Sequence, residues 1–235
     1  MADKLIVTGI KGFDKLVGGG FKPGKKILLS GTPGTGKTIF ALEYLYNGAQ
    51  SFGEHGMYIS FEENIDNLKK QALQFGWDMD SLEKKGMIKF VSISATEVSG
   101  NTIKELIEMA EKMSARRLVI DSLSTLSFIT PSTYISLNEI TDITIKRFIY
   151  TFINDLRKLK DTTTLLISQT TEDKLSRDTV SEFICDGVIH IAYEALGGAY
   201  SRSLMVRKMR ETANDEDVHP LEISKKGIVV HDLEG

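Results

Sequence analysis

Short apolar runs alternate along the chain with longer segments whose apolar residues recur every three or four positions. The runs have the length of buried strands, and they predict strands at residues 26–30, 57–61, 87–91, 117–121 and 163–168. Between them, the helical spacing predicts helices at residues 38–51, 64–75, 102–113 and 138–159. Strands that alternate with helices in this way are typical of a parallel sheet covered on both faces.

The pattern changes after residue 185, where short strands follow one another without helices between them. We predict strands at residues 188–193, 203–208, 221–224 and 228–231, with the spacing of antiparallel hairpins. No repeat, low-complexity tract or proline-rich linker divides the chain, which has 4 prolines. The expected fold is therefore α/β: a mostly parallel central sheet flanked by helices, with an antiparallel C-terminal β extension, in a single domain over residues 1–235.

The composition is that of an ordinary globular protein, with 41% hydrophobic and 26% charged residues. The formal net charge of −3 does not give the positive field of a nucleic-acid coat protein. The lone cysteine, Cys185, cannot form an internal disulfide, and we expect it in the core. The first residues form no apolar signal segment, and no apolar stretch is long enough to span a membrane. We therefore expect a cytoplasmic protein without membrane insertion.

The most specific motif is GTPGTGKT at residues 31–38, which follows a predicted strand and precedes a predicted helix. Its glycines let successive backbone N–H groups face one anion, and the helix N-terminus adds a favourable partial charge. In such a loop Lys37 meets the β- and γ-phosphates, and the Thr38 hydroxyl ligates Mg²⁺. The alternative is a glycine-rich turn that contains a lysine by chance. The expected nucleotide contacts in this segment are Thr32, Pro33, Gly34, Thr35, Gly36, Lys37, Thr38 and Ile39.

Carboxylates end two of the other predicted strands. Asp121 follows an apolar run, where it would hold Mg²⁺ through a water; the alternative is an ordinary aspartate at a strand end. Glu62 and Glu63 end the strand after the loop helix, where one carboxylate could activate an attacking water. Acidic residues are also stabilising at a helix N-terminus, so the spacing alone leaves both interpretations of this pair open.

Taken in order, these motifs resemble those of the KaiC branch of the RecA superfamily of ATPases. The resemblance rests on the glycine-rich segment at residues 8–24, the loop at residues 31–38, Phe61-Glu62-Glu63, Asp121-Ser122-Leu123 and Leu166-Ile167-Ser168-Gln169. It implies a RecA-type P-loop NTPase core with ATP as the nucleotide, Gln169 beside the nucleotide, and the Glu62-Glu63 pair as the group that activates water. It also implies a homo-oligomeric ring, usually a hexamer, with ATP at the subunit interfaces.

A basic motif, Lys208-Met209-Arg210, lies in the C-terminal extension. In the family that the chain resembles, the two basic residues reach the γ-phosphate bound by the neighbouring subunit, so the resemblance implies that Lys208 and Arg210 act in trans. From the residues alone, a strand edge protected by exposed basic side chains would be the preferred interpretation. The acidic run at residues 211–217 departs from the family pattern, which often has a histidine there.

Three functions stay open for this chain: a ring-forming ATPase that switches or signals through a protein partner, a RecA/RadA-like recombination ATPase on DNA, and a regulatory nucleotide sensor of a flagellar motor. Residues 122–139 contain no lysine or arginine, and residues 170–182 contain two basic against four acidic side chains. Because phosphate contacts need positive charge, these segments disfavour nucleic acid as a partner. We therefore prefer the first function.

Two further expectations concern residues outside the motifs. Arg116 and Arg117 are expected to form a solvated entry to the strand that ends at Asp121. Tyr44 and Phe61 are among the aromatic side chains that could stack on adenine, and the sequence does not choose among them.

Overall fold

A computed structural model describes residues 4–94, 97–128, 142–170, 175–193 and 201–233. The nine strands of this part of the chain belong to one sheet. The strands are β1 (Lys26–Gly31), β2 (Gly56–Ser60), β3 (Ile88–Ser92), β4 (Arg117–Asp121), β5 (Thr163–Gln169), β6 (Gly187–Tyr193), β7 (Arg202–Met209), β8 (Val218–Ser224) and β9 (Gly227–Val230). The α-helices are α1 (Lys37–Phe52), α2 (Ile65–Leu73), α3 (Met79–Lys84), α4 (Gly100–Lys112), α5 (Leu123–Phe128), α6 (Asp142–Leu156) and α7 (Ser181–Ile184).

The sheet has the strand order β3-β2-β4-β5-β1-β6-β7-β8-β9. The strands from β3 to β6 in this order are parallel, and β7, β8 and β9 are each antiparallel to their neighbours. This arrangement confirms the predicted α/β fold, a mostly parallel sheet with an antiparallel C-terminal extension. Helices alternate with the parallel strands because each parallel pair needs a crossover connection.

Helices cover both faces of the parallel strands. One buried apolar layer joins α1, α2 and α3 to the sheet, and the layer on the other face joins α4, α5 and α6 to it. Every residue of β1, β2 and β4 is buried. Burial on two faces is the reason that these strands appear in the sequence as continuous apolar runs rather than as alternating patterns.

The carboxyl ends of the parallel strands bring separate motifs to one edge of the sheet. β5 lies between β1 and β4, so Gly31 pairs with Gln169. On the neighbouring pair of strands, Ser60 pairs with Asp121. The loop at residues 31–38 therefore begins beside Gln169, and Glu62 follows two residues after Ser60 on the same edge. This edge is where open α/β sheets bind their ligands.

The predicted strands and the four predicted helices agree with the structure to within a few residues at each end. Residues 138–141 of the helix predicted at 138–159 lie outside the described residues. The helices α3, α5 and α7 were not predicted, because none is longer than 6 residues and a helical periodicity needs more turns than that. Among the described helices, none is long and apolar enough to cross a membrane.

The expectation that Arg117 is solvated is wrong. Its side chain is fully buried, and a guanidinium nitrogen lies 2.7 Å from the Glu54 carboxylate. The same guanidinium donates to the backbone carbonyls of Tyr44 and Val7, each at 2.7 Å. These partners compensate the cost of burying the charge, and they join the N-terminal segment and α1 to the start of β4.

Candidate functional site

The loop between β1 and α1 has the backbone geometry of an anion nest. Gly34 and Gly36 have φ angles of 81° and 103°, in the left-handed region that residues with a Cβ rarely adopt. Gly36 is the N-cap of α1, and its carbonyl accepts the N–H of Phe40 at 2.9 Å. The N–H groups of Lys37, Thr38 and Ile39 therefore precede the helical hydrogen bonds and are available to an anion.

Lys37 lies inside this loop. Its Nζ donates to the carbonyls of Gly31 at 2.8 Å and Thr32 at 2.7 Å, and only 6% of the residue is exposed. Burial lowers the pKa of Lys37 to about 8, although the nearby Asp121 and Glu62 carboxylates act in the opposite direction. An anion placed in the loop would favour the charged ammonium in the same way as these carboxylates.

Asp121 faces Thr38 across the edge of the sheet. Its Oδ2 accepts a hydrogen bond from Thr38 Oγ1 at 3.3 Å and another from the buried Tyr58 hydroxyl at 2.5 Å. Burial raises the pKa of Asp121 to about 6, while both hydrogen bonds lower it. Tyr58 lies in the middle of β2 and was not a predicted site residue; its strand position beside β4 was the only signal for this contact.

These groups fit a magnesium nucleotide. The N–H groups at the start of α1 and the Lys37 ammonium suit anionic phosphates. Thr38 Oγ1 and Asp121 Oδ2 are hard oxygen donors 3.3 Å apart, and hard oxygens are the ligands that Mg²⁺ prefers. Mg²⁺ is commonly held by one or two protein oxygens together with substrate phosphates, so this small donor set is sufficient.

Glu62 is held by hydroxyl and amide donors from two neighbouring strand ends. Its Oε1 accepts from Ser122 Oγ at 2.6 Å and from Thr125 Oγ1, and its Oε2 accepts from Gln169 Nε2 at 3.1 Å. The residue is exposed at the edge that also carries the loop and Asp121. Glu62 is therefore a carboxylate with a fixed orientation and access to water.

Glu63 differs from Glu62 in its surroundings. Its backbone N–H and carbonyl both bond to Ser60 Oγ, at 2.9 and 2.7 Å. The following helix, α2, is capped by Asn64, whose side chain accepts the N–H of Asp66 at 2.8 Å. The helix N-terminus thus has its own cap. This weakens the alternative that the two glutamates are present to stabilise the N-terminus of α2. The structure brings only Glu62 together with Gln169.

Lys208 and Arg210 lie at the other end of the sheet from the loop. The register pairs Met209 with Gly187, and Gly187 in turn with Ile27, which is four residues before Gly31. At the rise of a strand this is roughly 13 Å from the start of the loop. Arg210 donates to the Phe183 carbonyl at 2.9 Å, and Lys208 donates to the Glu182 carbonyl at 2.9 Å. The structure does not bring these two residues to the phosphate loop of their own chain.

Two residues at the loop were missed by the sequence analysis. The Tyr193 hydroxyl donates to the Gly34 carbonyl at 2.8 Å, and Arg202 approaches the same carbonyl at 3.4 Å. The Arg202 guanidinium also stacks over the Tyr193 ring, with 4.8 Å to the ring centroid. They are neighbours because β6 and β7 pair Tyr193 with Arg202. That pairing depends on the register of the β6–β7 hairpin. The sequence motifs give no information about this register.

Neither of the two aromatic residues named for adenine has a free ring face. Tyr44 is 0% exposed, and its ring packs under the Arg117 guanidinium at 4.7 Å. Phe61 is 6% exposed and belongs to the apolar layer beneath α4 and α6. Stacking on a base by either residue is therefore excluded in this structure.

Comparisons with known proteins agree with this geometry. The family model described as "ATPase: KaiC" matches residues 6–235. A UPF0273 protein of Thermotoga maritima is 33% identical over 99% of this chain and 98% of its own length. The circadian clock oscillator protein KaiC of Parathermosynechococcus lividus is 31% identical over 96% of this chain, which corresponds to 42% of that longer protein.

A solved structure gives the same result for the fold. The crystal structure of a KaiC-like protein from the archaeon Pyrococcus horikoshii superposes with a TM-score of 0.84. It is 33% identical and covers 98% of this chain and 100% of its own. The likeness therefore extends over the parallel sheet and the antiparallel C-terminal strands together.

Proposed function

Since this chain belongs to the KaiC ATPase family, we propose that it is a slow, Mg²⁺-dependent ATPase that assembles into a ring and acts as a switch or signalling protein. Membership of the family makes the chain an ATP-binding NTPase with a RecA-type fold. The observation that carries the finer proposal is the convergence of Lys37, Asp121 and Glu62 at one edge of the sheet. All nine strands share one sheet, which supports treating residues 1–235 as a single ATPase domain.

The roles follow from the chemistry of each group. Lys37 and the N–H groups at the start of α1 bind and orient the phosphates, and Thr38 with Asp121 holds the metal ion. The bound Mg²⁺ supplies positive charge that neutralises the phosphate oxygens. Glu62 orients a water and accepts its proton at a carboxylate oxygen, while Ser122, Thr125 and Gln169 keep that carboxylate in one rotamer.

The position of the basic pair supports a site completed by a second subunit. Lys208 and Arg210 are roughly 13 Å along the sheet from their own phosphate loop, on the opposite edge. A head-to-tail contact joins two different surfaces of neighbouring subunits, so in a closed ring it can place the basic pair of one subunit beside the phosphate loop of the next. The pair would then stabilise the charge of the departing phosphate in trans, and a hexamer is the closed ring that we propose.

The experiment that tests this function compares two adjacent carboxylates. We expect Glu62→Gln to lower the turnover of ATP about 10²-fold or more and to leave ATP affinity nearly unchanged, because the amide has the shape of the carboxylate but cannot take a proton. Glu63→Gln is the matched control, and its turnover is expected to stay near that of the wild type. Full turnover in both variants would contradict the role of Glu62.

The competing functions give different results in related assays. A nucleotide sensor of a flagellar motor would bind ATP tightly in both the wild type and Glu62→Gln, with the same negligible turnover. A recombination ATPase would be stimulated by single-stranded DNA, and the acidic balance of the segment after Gln169 opposes that. Residues 129–141 and 171–174 lie outside the described residues, so the low affinity for DNA stays a prediction.

A further inference from the structure

The strand β6 extends beyond the end of its neighbour β1 and reaches the phosphate loop. The last pair between the two strands joins His190 to Ser30, and β6 continues to Tyr193. Three further residues of a strand span roughly 10 Å. This extension brings the Tyr193 side chain to the loop at Gly34, although the two residues are 159 positions apart in the chain.

Tyr193 and Arg202 form a chain of hydrogen bonds that ends on the loop backbone. The Arg202 guanidinium donates to the Tyr193 hydroxyl oxygen at 3.0 Å, and this hydroxyl donates to the Gly34 carbonyl at 2.8 Å. Because a guanidinium has donors and no acceptor, the hydroxyl proton must point at the carbonyl. The guanidinium also lies over the Tyr193 ring, 4.8 Å from its centroid, which holds the ring in place.

The peptide group between Gly34 and Thr35 receives this chain at one end. Its carbonyl accepts the Tyr193 hydroxyl, and its N–H, at Thr35, is one of the backbone donors that a loop of this type turns toward a phosphate. Hydrogen bonds in series polarise one another, and a chain that begins at a charged donor is stronger than a neutral one. A donor at the carbonyl therefore makes the N–H at the other end a better donor.

We propose that Tyr193 is a positioning residue for bound phosphate: its hydroxyl fixes the peptide group between Gly34 and Thr35 so that the N–H of this group points at the nucleotide. Arg202 holds the hydroxyl and adds its charge through it. The inference rests on the proposed function, and it adds a support for the loop from outside the GTPGTGKT motif. The ligand class is a polyphosphate, and the base has no part in this role.

The experiment separates the phosphate contacts from the base. Isothermal titration calorimetry gives the affinities of the full chain for a non-hydrolysable ATP analogue and for tripolyphosphate, each with Mg²⁺. Tyr193→Phe keeps the ring and removes the hydroxyl. We expect it to weaken both ligands by the same factor, about threefold to tenfold, which is the range of one hydrogen bond. Turnover at saturating ATP should stay within about twofold of the wild type, because Lys37, Asp121 and Glu62 are unchanged.

The matched control is Tyr150→Phe, which removes a hydroxyl from α6 at a similar exposure, 53% against 49% for Tyr193. Both affinities of this control should equal those of the wild type. The thermal unfolding midpoint of the nucleotide-free protein should be the same in all three proteins, because water can replace a hydrogen bond at an exposed position. A lower midpoint in Tyr193→Phe with unchanged affinities would assign the hydroxyl to stability alone and contradict the proposal.

A double variant tests whether Arg202 acts through Tyr193. Arg202→Gln should also weaken both ligands. Combined with Tyr193→Phe, it should weaken them by less than the product of the two single factors, because both side chains act on one carbonyl. A loss equal to that product would contradict the chain of hydrogen bonds.

Three results for the affinities would overturn the inference: no change in Tyr193→Phe, an equal loss in Tyr150→Phe, or a loss for the ATP analogue without one for tripolyphosphate. Failure of the proposed function gives a different signature. ATP turnover would then be negligible in the wild type and in every variant, while the affinities for tripolyphosphate would still separate Tyr193→Phe from Tyr150→Phe. A wild type that binds neither ligand would overturn both proposals.

Discussion

Glu43 links the phosphate-loop helix to the C-terminal hairpin, and its ionisation should make that link sensitive to pH. The residue lies on α1, is 6% exposed, and accepts the backbone N–H of Ile228 at 2.7 Å. Burial raises the pKa of Glu43 from 4.5 to about 7, and the single backbone hydrogen bond lowers it only in part. The folded protein therefore holds a proton at Glu43 that the unfolded chain releases.

The sign and size of the effect follow from this difference. Between pH 4.5 and 7 the folded state binds more protons at Glu43 than the unfolded state, so the free energy of unfolding falls as pH rises. A pKa difference between 4.5 and about 7 corresponds to about 3 kcal/mol once the carboxyl is ionised in both states. Glu43→Gln keeps an acceptor for the Ile228 N–H and removes the ionisable group. The variant should therefore not lose free energy of unfolding at this position as the pH rises.

Urea unfolding of the wild type and Glu43→Gln at a series of pH values tests the effect. The difference in free energy of unfolding between the two proteins should shift in favour of the variant by about 3 kcal/mol from pH 4.5 to about pH 8. Asp121 and Lys37 also titrate differently in the folded state, but they contribute to both proteins and cancel in the difference. A difference that is constant across this range would refute the reasoning.

Three further perturbations follow from the described contacts. Glu54→Gln leaves the buried Arg117 without a carboxylate, and it should lower the free energy of unfolding by about 3–5 kcal/mol in urea titrations; a loss near zero would contradict the ion pair. Mg²⁺ should bind about tenfold more weakly at pH 5 than at pH 7.5 in calorimetric titrations with ATP, because the pKa of Asp121 is raised to about 6 and a protonated carboxyl is a poor ligand. Equal affinities would contradict this. Tyr58→Phe removes a hydrogen bond that lowers the pKa of Asp121, so the midpoint of the Mg²⁺ pH profile should move upward; an unmoved midpoint would count against that contact.

Patterns local in the sequence predicted the parallel strands, the main helices and the phosphate loop. Each depends on neighbouring residues: two-sided burial makes β1, β2 and β4 apolar throughout, and the glycines at residues 34 and 36 are required by positive φ angles. The short helices α3, α5 and α7 could not be predicted in this way. They are held by tertiary packing and contain too few turns for a periodic pattern.

Contacts between distant residues needed the structure. We expected Arg117 to be solvated because its charge is visible in the sequence and its partners are not. These partners, Glu54 and Val7, lie far from Arg117 along the chain. Glu62 and Glu63 are adjacent and chemically identical, and only the order β2-β4-β5 in the sheet distinguishes the one held by Gln169. Lys208 lies away from the phosphate loop of its own chain. This location follows from the register of β6 and β7, which the composition does not reveal.

The most direct test of a site shared between subunits is a mixing experiment. A Lys37→Ala subunit lacks the phosphate lysine but keeps the basic pair, and an Arg210→Ala subunit has the reverse defect. Each alone should be nearly inactive, since a trans-acting cation is worth about 10³-fold or more in phosphoryl transfer. In an equal mixture about one quarter of head-to-tail interfaces would join an intact loop to an intact arginine, and ATP turnover should rise to about that fraction of the wild-type rate. A mixture no more active than the average of its two components would contradict the shared site.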